Sequence, residues 1–262
     1  MQQSLSGCRS LSGRQALVSG ATSGIGAAIA RRLVRDGAHV VALGRRGDRL
    51  AALRDELGDA CRIAVVDVGD ASAVGDVLAD FADIDLLVNN AGTARGQHRA
   101  QDADRADWQA MVDANIGGVL NLTHALLPGM VARDFGDIIN IGSIAAGAAY
   151  PTGNVYGATK AFVRQFTQNL RADLLGRNVR ATCIEPGTVR TEFAAVRTGS
   201  AEAAAKFYDH PNLMEAEDVA EIAALCLALP RRVNVNLIEA MPLGQAHGGP
   251  VFADGLAVVP GA

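Results

Sequence analysis

Tyr156-Gly157-Ala158-Thr159-Lys160 sets a phenol and an ammonium four residues apart. In a helix that spacing puts both on one face, with Cβ atoms roughly 5–6 Å apart, so they can act on one substrate atom. A free phenol, with a pKa of about 10, is a poor base at neutral pH, but a neighbouring cation stabilises the phenolate and lowers that value. Lys160 is suited to that role, and the chemistry to expect is proton transfer at an oxygen. The pair alone is a weak signal, because the same spacing recurs on many surface helices. Its weight depends on what else the chain holds.

Ser19-Gly20-Ala21-Thr22-Ser23-Gly24-Ile25-Gly26 joins a β-forming run to a helical stretch. Glycines there let backbone N–H groups approach a pyrophosphate at the positive end of a helix. The next expected strand ends in Leu43-Gly44-Arg45-Arg46, with no carboxylate where one would hold the ribose hydroxyls of NAD. Two guanidiniums suit a 2′-phosphate instead, since each charge-assisted hydrogen bond is worth about 1.5–3 kcal/mol, enough to favour NADP(H) more than tenfold. Arg45 is the stronger candidate. The alternative is a solvated loop pair, with Asp48 able to neutralise one of them. Asp67-Val68 and Asn89-Asn90-Ala91-Gly92 end the third and fourth expected strands, at carboxyl ends where open α/β sheets bind ligands.

The elements that must position these groups alternate. Strands are expected over Gln15 to Ser19, His39 to Leu43, Arg62 to Val66, Asp85 to Val88, Asp137 to Ile141, Arg180 to Ile184 and Asn236 to Glu239. Helical periodicity occupies Ile25 to Asp36, Asp48 to Leu57, Ser72 to Phe81, Arg105 to Met130, Val155 to Leu175 and Glu217 to Leu229. That alternation specifies right-handed βαβ units in one doubly wound, seven-stranded parallel sheet with helices on both faces. Gly187 to Met214 lacks a sheet signal and reads as a mobile substrate cover, since loops of that length are usually functional. The 262 residues, 49% hydrophobic and 20% charged, fit a single domain over 14–247, with a flexible tail at 1–13 and an extension at 248–262.

Composition narrows the partners. The net charge of −4 and the lack of a basic block leave no footprint for a nucleic-acid partner. No segment holds the ~18 consecutive apolar residues of a membrane span, and a soluble, cytoplasmic protein is expected. Cys8, Cys61, Cys183 and Cys226 are scattered without a Cys-x-x-Cys pair and read as reduced thiols. The five histidines, His39, His98, His124, His210 and His247, show no metal-ligand spacing, so no metal is implied.

The glycine spacing of Ser19 to Gly26 resembles the Thr-Gly-x-x-x-Gly-x-Gly pattern of the short-chain dehydrogenase/reductase family, with Ser19 in the place of the threonine. Asn115, Ser143, Tyr156 and Lys160 match that family's Asn, Ser, Tyr and Lys tetrad, and the resemblance runs from about Gln15 to Gln245. It implies a Rossmann-type fold, hydride transfer with a nicotinamide, Tyr156 as general acid/base, Ser143 orienting the substrate oxygen, Lys160 anchoring the ribose, and Asn115 holding a proton-relay water. Gly20, Thr22, Ser23, Gly24, Ile25 and Gly26 would take the pyrophosphate. Asp67, Val68, Asn89, Ala91 and Gly92 would flank adenine and ribose, and Pro186, Gly187, Val189 and Thr191 would close over the carboxamide.

Gly153 to Phe166, Thr191-Glu192-Phe193 with Val196-Arg197, and Val233 to Pro242 are similar to the NADP-dependent 3-hydroxy acid dehydrogenase branch, which oxidises serine, L-allo-threonine and related acids and whose members are usually homotetramers. A homotetramer, or a dimer, is the implied assembly. Such a substrate carries a carboxylate, and Arg95, Arg190 and Arg197 are the candidate cations beside Ser143 and Tyr156. Two departures, Thr93-Ala94-Arg95-Gly96 and a loop after Gly187 one residue shorter than expected, bear on the pocket. The alternatives are an NADPH-dependent aldehyde or ketone reductase of a biosynthetic pathway and, from another class, a catalytically idle NADP(H)-binding regulator.

Overall fold

Leu17, Val41, Leu87 and Ile138 alternate along their strands with Val18, Val40, Val88 and Ile139, and both sets are apolar and buried. Strands with two apolar faces need cover on both sides, which crossover helices on a parallel sheet provide. The computed structural model, which describes residues 11–81, 83–249 and 251–253, has this architecture. Its strands are β1 (Gln15–Ser19), β2 (His39–Gly44), β3 (Cys61–Val65), β4 (Leu86–Asn89), β5 (Gly136–Ile141), β6 (Val179–Pro186), β7 (Val189–Arg190), β8 (Met214–Glu215) and β9 (Leu237–Ala240). All but β7 and β8 form one seven-stranded parallel sheet, in the order β3-β2-β1-β4-β5-β6-β9. Winding reverses between β1 and β4, so the crevice beyond their carboxyl ends is the switch point at which such sheets bind ligands.

The helices are α1 (Gly24–Arg35), α2 (Gly47–Leu57), α3 (Ala71–Leu78), α4 (Arg105–Val112), α5 (Gly118–Ala132), α6 (Asn154–Asp173), α7 (Phe193–Thr198), α8 (Ala201–Phe207) and α9 (Ala216–Ala228). Ile29 and Leu33 of α1, Leu50 and Leu53 of α2 and Val219 and Ala223 of α9 bury one face of the sheet. Val74 of α3, Leu122 and Leu126 of α5 and Leu170 of α6 bury the other. Among the described residues no helix is long and apolar enough to cross a membrane, and no group of His, Cys, Asp and Glu side chains has metal-binding geometry. Cys61, Cys183 and Cys226 are buried free thiols; Cys8 lies outside the described residues.

Two sequence expectations need correction. The helix expected over Arg105 to Met130 is two helices joined by a π turn, Asp113–Gly117, which carries Asn115 at its centre. A single inserted residue leaves the apolar period almost intact, so periodicity alone passes over it. The expected mobile loop from Gly187 to Met214 is instead built from α7, α8 and the small parallel pair β7 and β8, in register Val189 with Met214 and Arg190 with Glu215. Ser200 caps α8 by accepting from the Ala203 N–H, and Ala194, Ala204, Tyr208 and Leu213 form a local core. Helices of six and seven residues are too short to print a period in the sequence.

The ends also pack. Leu11, assigned to the tail, is buried in the core, and its N–H bonds the Asp36 carbonyl. Residues 1–10 lie outside the described residues, as do 250 and 254–262 of the expected extension. Within that extension Phe252 pairs with Gln245 in an isolated bridge and stacks on His210, with ring centroids 4.0 Å apart.

Candidate active site

The carboxyl ends of β1 to β6 open into one cleft of about 570 Å³, roofed by α7 and α8. Its floor begins at the glycine turn. Gly20 has φ +68°, and a Cβ there would lie 2.8 Å from Asn90 Nδ2; one on Gly26 would lie 2.4 Å from the Gly20 carbonyl oxygen. The Asn90 amide donates to the Ser19 carbonyl, and the Ser19 hydroxyl accepts from the N–H groups of Asn90 and Ala91. Asn90 therefore ties the turn to the end of β4, and glycine is required wherever it passes. Ser23, the N-cap of α1, makes no side-chain cap and the first turn of the helix carries no acid, so its leading N–H groups face the cleft unclaimed by a side chain.

Thr22, Ser23, Gly24 and Ile25 line the cleft, as do Asp67, Val68, Ala91 and Gly92, and on its far side Pro186, Gly187, Val189 and Thr191. Both arginines after β2 are there, differently held. Arg46 donates to Thr22 Oγ1 at 2.7 Å and Ser23 Oγ at 2.8 Å, which fixes it at the turn, while Arg45 is exposed with one long contact, 3.4 Å, to Asp67. Two of the expected cofactor residues are not brought to the cleft: Asn89 donates to Thr123 and Asn140, and Gly26 is sealed beneath Gly20. Asn90, Glu192, Phe193, Tyr150, Tyr208 and Gln245 line the cleft without having been singled out as site residues. A polar turn for Asn90 and the Thr191-Glu192-Phe193 string were the available signals; the others come from packing of the cover and the C-terminal segment.

Tyr156, Lys160 and Ser143 face one another across this space. Tyr156 and Lys160 sit on the first turns of α6, at 9% and 7% exposure. Burial pushes the phenol well above the usual tyrosine range, opposed by a hydrogen bond with Ser143 and the charge of Arg197. The Lys160 ammonium lies 6.0 Å from the ring centroid and donates to the Ile141 carbonyl at 2.8 Å. Burial holds Lys160 down to about 8, partly opposed by Cys183 and Glu185. Asn115 is buried behind the cleft, its amide accepting from the Thr93 N–H at 2.7 Å and donating to the Thr93 carbonyl and Thr159 Oγ1, both at 2.9 Å.

The three candidate cations separate. Arg190 is turned away, bound to Glu215 and the Tyr208 carbonyl. Arg95 lines the rim, exposed. Arg197 reaches inside, 5.9 Å from the Tyr156 ring centroid, with only long bonds to Tyr150 (3.3 Å) and Thr152 (3.2 and 3.4 Å) and a buried Nε that has no partner.

A switch-point cleft with an uncapped helix start on one side and a buried Tyr–Lys pair facing Ser143 on the other defines an α/β oxidoreductase of the doubly wound class. The short chain dehydrogenase family model matches residues 14–201, and the chain belongs to that family. It is 49% identical over 239 residues to the NADP-dependent 3-hydroxy acid dehydrogenase YdfG of Escherichia coli (strain K12), covering 89% of this chain and 96% of that one. It is 47% identical over 238 residues to the serine 3-dehydrogenase of Agrobacterium fabrum (strain C58), covering 89% and 95%. Its fold matches the closed form of a serine dehydrogenase complexed with NADP+ at a TM-score of 0.87 and 47% identity, covering 94% of this chain and 99% of the other.

Proposed function

We propose that this protein is an NADP(H)-dependent dehydrogenase interconverting a hydroxyl and a carbonyl on a small 3-hydroxy acid, of the serine, allo-threonine or 3-hydroxypropionate type. The carrying observation is Arg197, a guanidinium with an unpartnered buried nitrogen beside the Tyr156 ring. An under-satisfied cation next to a proton-transfer group suits a substrate with a carboxylate near its reacting oxygen. The relatives' names, NADP-dependent 3-hydroxy acid dehydrogenase and serine 3-dehydrogenase, support the same reading.

The residues fit the cofactor. The uncapped start of α1 suits a pyrophosphate, and Arg46 with Arg45 suits a 2′-phosphate. Asp67 and Val68 flank the adenine side, and Pro186 to Thr191 the nicotinamide side. When bound, NADP(H) supplies or accepts the hydride. The chain's own work is proton transfer and orientation. Tyr156 at neutral pH keeps its proton, the form that donates to a carbonyl oxygen, and Ser143 holds that oxygen by hydrogen bonding. Arg197 and the Lys160 ammonium then stabilise the phenolate left behind, and in the oxidative direction the same phenolate accepts the proton. Phe193, its ring centroid 5.5 Å from that of Tyr156, shields the phenol from water.

The reading extends to a single cytoplasmic catalytic domain assembled as a homotetramer. Exposed Val112 and Leu120 beside the π turn, and the edge strand β9 with Leu237 outward, offer apolar surface for that assembly. Initial rates of NADP+ and NAD+ reduction with serine, allo-threonine, 3-hydroxypropionate and neutral secondary alcohols test the function. Turnover of the acids with NADP+ sustains it; turnover confined to neutral alcohols and carbonyls transfers the protein to the biosynthetic-reductase reading.

A further inference from the structure

Helix α6 carries a third charged side chain on the face of Tyr156 and Lys160. Arg164 lies one turn beyond Lys160, and its Nε donates to Glu185 Oε1 at 2.6 Å while Nη2 meets Oε2. Glu185, at the end of β6, is completely buried. It sits under the strand end that presents Ser143, for a Cβ on Gly142 would lie 2.8 Å from Glu185 Cγ. A buried ion pair is often no more stabilising than apolar side chains of similar volume, so packing alone gives no reason for a carboxylate at this position.

The charges around Lys160 supply one. On α6 it is flanked by the neutral Tyr156 phenol and by Arg164. From β6 the charge of Glu185 acts on it, while the Cys183 thiol, pushed up to about 12 by burial, is uncharged at physiological pH. Its ammonium donates to the Ile141 carbonyl of β5, one residue before Gly142, against which Glu185 Cγ and Oε1 pack, and Gly92 lies beside it from the turn after β4. Asn115, on the π turn, is uncharged. Glu239 of β9 faces Arg164 at 3.7 Å, with His247 3.4 Å beyond it, and Arg197 acts on the far side of the phenol. The Glu185 carboxylate, on the strand paired with β5 and packed against Gly142 beside the carbonyl that takes the ammonium, is thus placed to support that ammonium against its own desolvation.

We propose that Glu185, held by Arg164, is a positioning residue that keeps Lys160 cationic beside Tyr156, with Arg164 limiting how strongly it does so. This rests on the Tyr156–Lys160 reading above, but its test does not pass through turnover. The chain has only two lysines, Lys160 and Lys206, and Lys206 is exposed on α8. Protein labelled with 13C at lysine Cε therefore gives two NMR signals, assigned by Lys206→Arg, and their pH titrations report each ammonium directly. The Lys160 midpoint should lie well below the ordinary lysine range, fall further by about one unit or more in Glu185→Gln, and rise in Arg164→Gln, with Lys206 unmoved in both. An unchanged Lys160 midpoint in Glu185→Gln, or shifts of the same sign in the two variants, overturns the proposal. Should Glu185→Gln not fold, a midpoint in Arg164→Gln that stays or falls overturns it equally. Loss of turnover in Tyr156→Phe judges the proton-transfer reading separately.

Discussion

Replacing Arg197 by Met tests substrate recognition at its sharpest point. Methionine keeps the unbranched apolar stem that packs near Tyr150 and Tyr156 and removes only the guanidinium. That group's existing bonds, at 3.2–3.4 Å, are long, and Nε has none, so little of its hydrogen-bonding capacity is spent within the protein. A hydrogen bond to a charged partner is worth about 1.5–3 kcal/mol, which converts to a loss of roughly 10- to 150-fold in kcat/KM for an acidic substrate. The loss specific to acids should fall on KM, since a carboxylate is held equally in ground and transition states, while removal of positive charge beside the phenol lowers kcat for acid and alcohol alike. A neutral secondary alcohol of the same length should lose much less, and Arg197→Lys should recover part of the activity on acids. Steady-state kinetics on the matched pair of substrates decide it: equal losses on acid and alcohol would show that Arg197 holds the cover or the phenol and does not read the carboxylate.

Tyr156→Phe should lower turnover by about 10²–10⁴-fold while leaving NADP(H) affinity within a few-fold, measured by kinetics and by fluorescence titration; retained turnover removes Tyr156 from the mechanism. Arg46→Asp should cost more NADP(H) preference over NAD(H) than Arg45→Asp, because Arg46 is locked to Thr22 and Ser23, and dissociation constants for both cofactors in the two variants would show the reverse order if Arg45 dominates. Glu192 on the cover accepts from Arg46 at 2.9 Å and Arg49 at 2.5 Å, and hydrogen bonds from Arg49 and Arg46 hold its carboxyl at about 2. A carboxyl lowered on folding stabilises above its ordinary range near 4.5 and loses that contribution as pH falls towards 2, so cover anchoring should be flat from pH 8 to 5 and weaken only below. All three side chains are more than a third exposed, so salt should weaken the anchor too. Limited proteolysis within residues 193–207 reads it, and equal protection of wild type and Glu192→Gln at pH 7 would count against it.

The sheet was legible because its strands print continuous apolar runs and its helices a clear period, and the glycine turn because Gly20 and Gly26 have no room for a side chain beside Asn90. The cover was not, since α7 and α8 are short and held by contacts distant in sequence, such as the Ala194 N–H on the Tyr208 hydroxyl. The different placements of Arg45 and Arg46 were illegible for a related reason. Adjacent residues in a turn point in different directions, and which one meets Thr22 depends on how the β2–α2 turn lies against α1, which spacing does not encode. Likewise the sequence supplies the Tyr156–Lys160 spacing but not the Ile141 carbonyl that takes the ammonium.

The π turn shows how such a site is held together. A continuous helix through Asp113 to Gly117 would give Asn115 a different bearing; the wider turn aims its amide at Thr93 and Thr159 together. One side chain then joins three segments: the strand exit after β4, the long helical arm and α6. The join is tight where the chemistry is, since a Cβ on Gly92 would lie 3.0 Å from Asn115 Oδ1 and 3.7 Å from Lys160 Nζ. Both Nδ2 hydrogens are engaged in this clamp, while Oδ1, which accepts from the Thr93 N–H, keeps its second lone pair. The clamp fixes the separation of Gly92 from Lys160, and the π turn, less favourable than α-helix in its hydrogen-bond geometry, stands where that separation is set.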